Sequence, residues 1–162
     1  MSATIDIAVD SPLWSEVPAV EQAVRGAVEA TLVECGVREA EVSVALTNDA
    51  RIQQLNRQWR GHDIPTNVLS FPAPRTQPDD EHFLGDVVLA FETIRREAEL
   101  ESKLLVSHVV HLAIHGTLHL LGFDHENDAD AEIMERRERD VLAQFGIPDP
   151  YDPAPTRWTE LA

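Results

Sequence analysis

Cysteine is almost absent from this chain. Cys35 is the only one in 162 residues, which excludes an internal disulfide, and its place at the end of a predicted helix suits a small buried hydrophobe. Long apolar runs are missing too, and no stretch approaches the ~20 residues that span a bilayer. The N-terminal Met1-Ser2-Ala3-Thr4-Ile5-Asp6 has neither the basic nor the apolar region of a signal peptide. A cytoplasmic protein without membrane contact is therefore expected. Positive charge is scarce: Lys and Arg number 13 against 29 Asp and Glu, a net charge of −16. That surplus repels a phosphate backbone and argues against general nucleic-acid affinity. The scarcity is uneven, because residues 50–78 hold Arg51, Arg57, Arg60 and Arg75 against Asp63 alone. On charge grounds this stretch is a solvated face; the alternative is a local grip for RNA on an acidic body.

The segment His115-Gly116-Thr117-Leu118-His119-Leu120-Leu121-Gly122-Phe123-Asp124-His125 carries the chemistry. On a helix, His115 and His119 lie on one face. Gly122 can end that helix in the left-handed conformation, and His125 can then fold back as a third imidazole. Three protein ligands with an open fourth position describe a catalytic zinc site rather than a structural one. With 7 histidines in the chain, two more at these offsets arise by chance with a probability of about 0.01. What this segment lacks is the glutamate that follows the first histidine in H-E-x-x-H zinc peptidases and serves as their general base. Gly116 stands there, so metal-assisted hydrolysis of something other than a peptide is favoured. Gly116 costs about 1 kcal/mol in a helix interior relative to Ala. Either close packing against a neighbour or room for a substrate beside the metal explains it.

Length predicts one domain, residues 1–162. Ile5, Ile7 and Val9 alternate as a strand, as do Val42, Val44 and Leu46. A helical stripe runs from Pro18 to Gly36, and Asn48 and Asp49 are cap candidates for a helix from about Ala50 to Arg60, with Ile52, Leu55 and Trp59 as its buried stripe. Asn67–Phe71 reads as a short strand, 72–82 as a proline-rich loop, and Phe83–Phe91 as a central strand. Helices follow at 92–100, at 103–121 (the histidine helix) and at 127–145, the last with Ile133, Val141, Leu142 and Phe145 facing inward. The tail from Pro148, with Trp158, reads as irregular. The fold expected is α+β: a mixed four-stranded sheet packed by about five helices, with the metal site on a central helix and the turn after it.

Leu55-Asn56-Arg57-Gln58-Trp59-Arg60-Gly61-His62-Asp63-Ile64-Pro65-Thr66-Asn67-Val68-Leu69-Ser70-Phe71-Pro72 resembles the L-N-x-x-[YW]-R-x-x-D-x-x-T-D-V-L-S-F-P signature of the bacterial YbeY-type rRNA maturation endoribonucleases. Leu84-Gly85-Asp86-Val87 is similar to that family's L-G-D-[IV] strand, and His115–His125 to its H-G-x-L-H-L-x-G-x-D-H motif. The resemblance runs from about Val42 to Phe145. It implies a single α+β domain, one zinc ion per chain held by His115, His119 and His125, and cleavage of single-stranded RNA in 16S rRNA maturation and ribosome quality control. Precursor rRNA, the small ribosomal subunit and its assembly factors are the partners it implies. Arg60 matches the family's functional arginine. Asn67 departs from the pattern, standing where the family usually has aspartate.

The residues themselves leave several roles open. Arg60 can meet charge developing on a phosphate with paired donors, or simply cap a helix C-terminus. His111, one turn before His115, is a cleft or supporting residue or a satisfied core histidine; for His108 the core reading is favoured. Asp86 needs a partner if buried, either at the metal site or on an arginine. Asp124 orients a histidine or caps the turn. Met134 sits in a helical run and reads as core. Zinc-activated water and a ribose 2′-hydroxyl are both open as nucleophiles. A non-catalytic, zinc-containing assembly factor and a metal hydrolase of another substrate are the competing functions.

Overall fold

The computed structural model describes residues 3–74 and 82–151. Residues 75–81 of the proline-rich loop, Arg75 among them, and the tail with Trp158 lie outside these residues. Four strands form one sheet: β1 (Ala3–Val9), β2 (Ala40–Thr47), β3 (Val68–Pro72) and β4 (Phe83–Ala90), in the spatial order β1-β2-β4-β3. β2 runs parallel to β1 and β4, and β3 is antiparallel to β4. The sheet is thus mixed, and β4 is internal, as its nearly unbroken apolar run predicts.

Among the described residues five α-helices accompany it: α1 (Val20–Glu34), α2 (Asp49–Arg60), α3 (Phe91–Leu100), α4 (Leu105–Leu120) and α5 (Asp128–Gln144). Strand alternation sorts the two faces of the sheet. Val42, Val44, Leu46, Val87 and Leu89 point into the main core, where they meet Val24, Val28 and Leu32 of α1 and Ile114 and Leu118 of α4. The reverse face carries a smaller cluster, Leu69, Val88 and Ala90, under Ile52 of α2. α4 is buried on nearly every side, which is why its sequence shows little polar face.

Two predicted stripes shift. In α2, Ile52 and Asn56 are buried while Trp59 is 65% exposed. Asn56 turns inward because its Nδ2 donates to the Ile64 carbonyl at 3.0 Å and ties down the loop after the helix. In α5, Ile133 and Phe145 face outward, and Met134, Glu138, Val141 and Leu142 are buried. A fully buried glutamate in that stripe defeats a periodicity read from apolar residues alone. A short 3₁₀ helix, Pro12–Glu16, adds an element the sequence pattern does not show. It seats Trp14 in the core, where the indole N–H donates to the Thr47 carbonyl at 2.8 Å and the ring meets Phe91 edge-on.

Candidate metal centre and its cleft

α4 ends as its sequence predicts. Gly122 takes φ +98°, and the amides of Gly122 and Phe123 donate to the carbonyls of His119 and Leu118 at 3.0 and 3.1 Å. This pairing closes the last turn in the Schellman manner and reverses the chain. His125 is thereby returned to the face that carries His115 and His119. Its ring centroid lies 5.7 Å from that of His115 and 5.1 Å from that of His119.

One nitrogen from each ring lies within 4.8 Å of the other two. The Nε2 atoms of His115 and His119 are 3.1 Å apart. Tetrahedral coordination at the zinc–nitrogen bond length places two donors about 3.3 Å apart, so little movement separates this arrangement from a metal-holding one. Burial, with His115 and His125 alongside, pushes the His119 imidazole below its ordinary pKa, which keeps the neutral ring that a metal needs. The three residues could hold one metal ion.

The cluster forms the floor of a cleft of about 500 Å³ whose walls include Arg60, Asn67, Ser70 and Phe123. Arg60, the last residue of α2, donates from Nη2 to the Ser70 carbonyl at 2.8 Å and lies over the Phe71 ring. The structure thus brings Arg60 to the same cleft as the histidines. Ser70 Oγ donates to the Gly116 carbonyl at 2.9 Å. A Cβ on Gly116 would lie 2.7 Å from Val87 Cγ1. Of the two explanations for that glycine, close packing of α4 on β3 and β4 is the one the structure bears out.

Asn67 donates from Nδ2 to Glu97 at 3.0 Å and accepts the Val68 amide at 2.6 Å. A carboxylate at position 67 would face another carboxylate, so the amide suits this neighbourhood. Glu97 also pairs with His108 Nε2 at 2.9 Å, which places His108 in this half-buried network and away from the metal cluster. Asp124 accepts the amide of its own neighbour, His125, at 2.7 Å and lines the cleft beside the histidines. Asp86 does not join the cluster. Val87 faces α4, so Asp86 points to the reverse side of the sheet, into a second groove with Arg51, Trp59, Phe71 and Phe83. Burial pushes its carboxyl upward.

The residue that does support the cluster is one the sequence did not single out. Glu138 of α5 is fully buried and accepts from His115 Nδ1, from the Tyr151 hydroxyl and, at 3.2 Å, from His111 Nε2. His111 is thus joined to His115 through this carboxylate. Burial alone would raise the Glu138 carboxyl, but hydrogen bonds from the two histidines carry it down to about 2. Burial likewise lowers His111, outweighing the pull of Glu138. Both directions describe one state, a charged carboxylate receiving an N–H from a neutral His111 ring. The glutamate lies 23 residues beyond His115, and only its unusual place in the inward stripe of α5 signals it.

The sequence profile of the family described as Endoribonuclease YbeY matches residues 11–146. The protein named Endoribonuclease YbeY from Bradyrhizobium sp. (strain BTAi1) is 46% identical over 155 residues, covering 91% of this chain and 92% of its own. Its namesake from Bradyrhizobium diazoefficiens is 50% identical over 159 residues, covering 93% and 86%. Among solved structures, the solution structure of a Thermotoga maritima protein matches with a TM-score of 0.54 at 23% identity, covering 92% of this chain and 99% of that one; at that identity it speaks for the fold alone.

Proposed function

The chain belongs to the YbeY endoribonuclease family, and from that premise we propose that it is a zinc-dependent endoribonuclease cutting single-stranded RNA in 16S rRNA maturation and ribosome quality control, working in the cytoplasm on the small subunit with its assembly factors. The observation that carries this reading is the convergence of three imidazole donors and one guanidinium in a single open cleft. Three neutral imidazoles leave a zinc ion its full charge, and the ion would supply a Lewis acid for a phosphoryl oxygen.

The chain's own residues do the rest. His115, His119 and His125 would hold the ion, and His115 Nδ1 faces the buried Glu138 carboxylate behind them. Arg60 binds a scissile phosphate and stabilises the charge that grows on its oxygens. Its bond to the Ser70 carbonyl aims the guanidinium before substrate arrives, so less ordering is needed on binding. No carboxylate follows His115, and the general base of the zinc peptidases is thus missing. The net charge of −16 makes RNA affinity depend on a local patch, so binding should weaken steeply with salt. Arg51, Arg57 and Arg60 are all exposed on α2, and Arg60 is the one of them that lines the cleft.

The test is cleavage of a single-stranded rRNA-precursor fragment by zinc-loaded protein, with His119→Ala in parallel. Cleavage by the wild type that the substitution abolishes supports the reading. A folded, inactive wild type that still co-sediments with small subunits would overturn it in favour of a non-catalytic assembly factor.

A further inference from the structure

Glu138 gathers three donors around one buried carboxylate. A deprotonated carboxylate only accepts hydrogen bonds, so each partner must present a proton. His111 Nδ1 is buried with no partner; it is the bare nitrogen of that ring, and Nε2–H is the donor to Glu138 at 3.2 Å. His115 faces the same carboxylate through Nδ1. That nitrogen carries the proton, which leaves the Nε2 lone pair pointing toward Nε2 of His119, 3.1 Å away. The Tyr151 hydroxyl donates to Oε2, from a turn beyond the end of α5. The phenol closes the carboxylate off, and its ring stands edge-on to His111 at 5.8 Å.

We propose that Glu138 is a positioning residue: it locks His115 in the Nδ1–H tautomer and in the ring orientation that turns Nε2 into the cleft, and Tyr151 holds Glu138 in place to do so. This rests on reading the three histidines as a metal site, but it adds a claim about which nitrogen is available and why. Carboxylates that receive the second N–H of a ligating histidine fix its ring and make it a better donor. Asp86 and Asp124, two carboxylates inside the matching motifs, reach no imidazole in the hydrogen bonds described. Glutamine at position 138 keeps the volume but offers one acceptor and one donor in place of two acceptors. One of the two histidines would then face an N–H group. His115 could answer by moving its proton to Nε2, which would remove the donor atom from the cleft.

Zinc affinity of the full chain, measured by competition with a chromophoric chelator, tests this without RNA. Glu138→Gln should weaken zinc binding about 10–100-fold, and Glu138→Asp, which restores the carboxylate, should recover part of that loss. Nitrogen-15 NMR of the wild-type apoprotein provides a check that needs no variant: His115 should show a protonated Nδ1 and a bare Nε2. An unchanged affinity in a folded Glu138→Gln protein, or a wild-type His115 protonated on Nε2, would overturn the proposal while leaving the nuclease reading intact. A wild type that takes up no zinc would overturn both.

Discussion

Substituting Gly116 by alanine sets two known effects against each other. In an open helix the change would stabilise by about 1 kcal/mol, because glycine costs that much more to order. Here the new methyl would stand 2.7 Å from Val87 Cγ1, 3.1 Å from Ser70 Oγ and 3.3 Å from Val68 Cγ2. Carbon atoms prefer about 3.5–4.0 Å, so the first contact overlaps by most of an ångström. Val87 cannot swing aside: it is β-branched, fully buried and in an internal strand. Relief must come from moving α4 off the sheet, against α1 and α5 behind it. Overpacking of this kind costs about 1–3 kcal/mol, and the Ser70–Gly116 hydrogen bond adds about 1 kcal/mol if it stretches. The net expectation is a loss of about 1–2 kcal/mol, a fall in Tm of about 2–8 °C for a chain this long. Urea unfolding of the apoprotein, followed by circular dichroism with an unchanged m-value, measures it. A Gly116→Ala protein more stable than wild type by about 1 kcal/mol would refute the packing argument, since helix propensity would then have won.

Arg60→Lys keeps the charge but loses the planar fork that bonds Ser70 while lying over Phe71; RNA cleavage should fall about 10²-fold with circular dichroism unchanged, and wild-type turnover would remove Arg60 from the chemistry. Glu97 gives a pH signature. Burial pushes its carboxyl up, yet hydrogen bonds from His108 and Asn67 outweigh burial and hold it below 4.5. A depressed carboxyl contributes stability that is present above the unfolded-state value and lost as pH falls through the folded one. Melting temperatures of Glu97→Gln and wild type should therefore differ most above pH 4.5 and converge below it; a gap that widens in acid would reverse the sign of the argument.

The histidine triplet was legible because its geometry is local: a four-residue helical step and a glycine turn fix it within eleven residues, whatever surrounds them. The strands were legible for the same reason, since Val42, Val44 and Leu46 announce a buried face by alternation alone. What the sequence hid is what depends on distant neighbours. Glu138 looks like one acid among many in an acidic helix, and only its partners His111, His115 and Tyr151 reveal why it is buried. Trp59 has the helical spacing of a core residue, but its indole only meets the Phe71 ring edge-on at 6.4 Å and lines an open groove, 65% exposed. Asp86 shows the limit of motif reasoning. It stands in a matching strand motif, yet the parity of that strand sends it away from the histidines. Gly116 allowed two explanations until the distance to Val87 chose between them.

Tyr151 has a use apart from its contacts. It is the only tyrosine in the chain, and its hydroxyl ends on the carboxylate that grips His111 and His115. Any spectroscopy selective for tyrosine, whether a single labelled ring resonance or the phenol bands of a vibrational spectrum, therefore reports on one hydrogen bond behind the histidine cluster with no overlapping signal. The protein carries its own site-specific probe, and following metal uptake, RNA binding or denaturation at that point requires no introduced dye and no mutation.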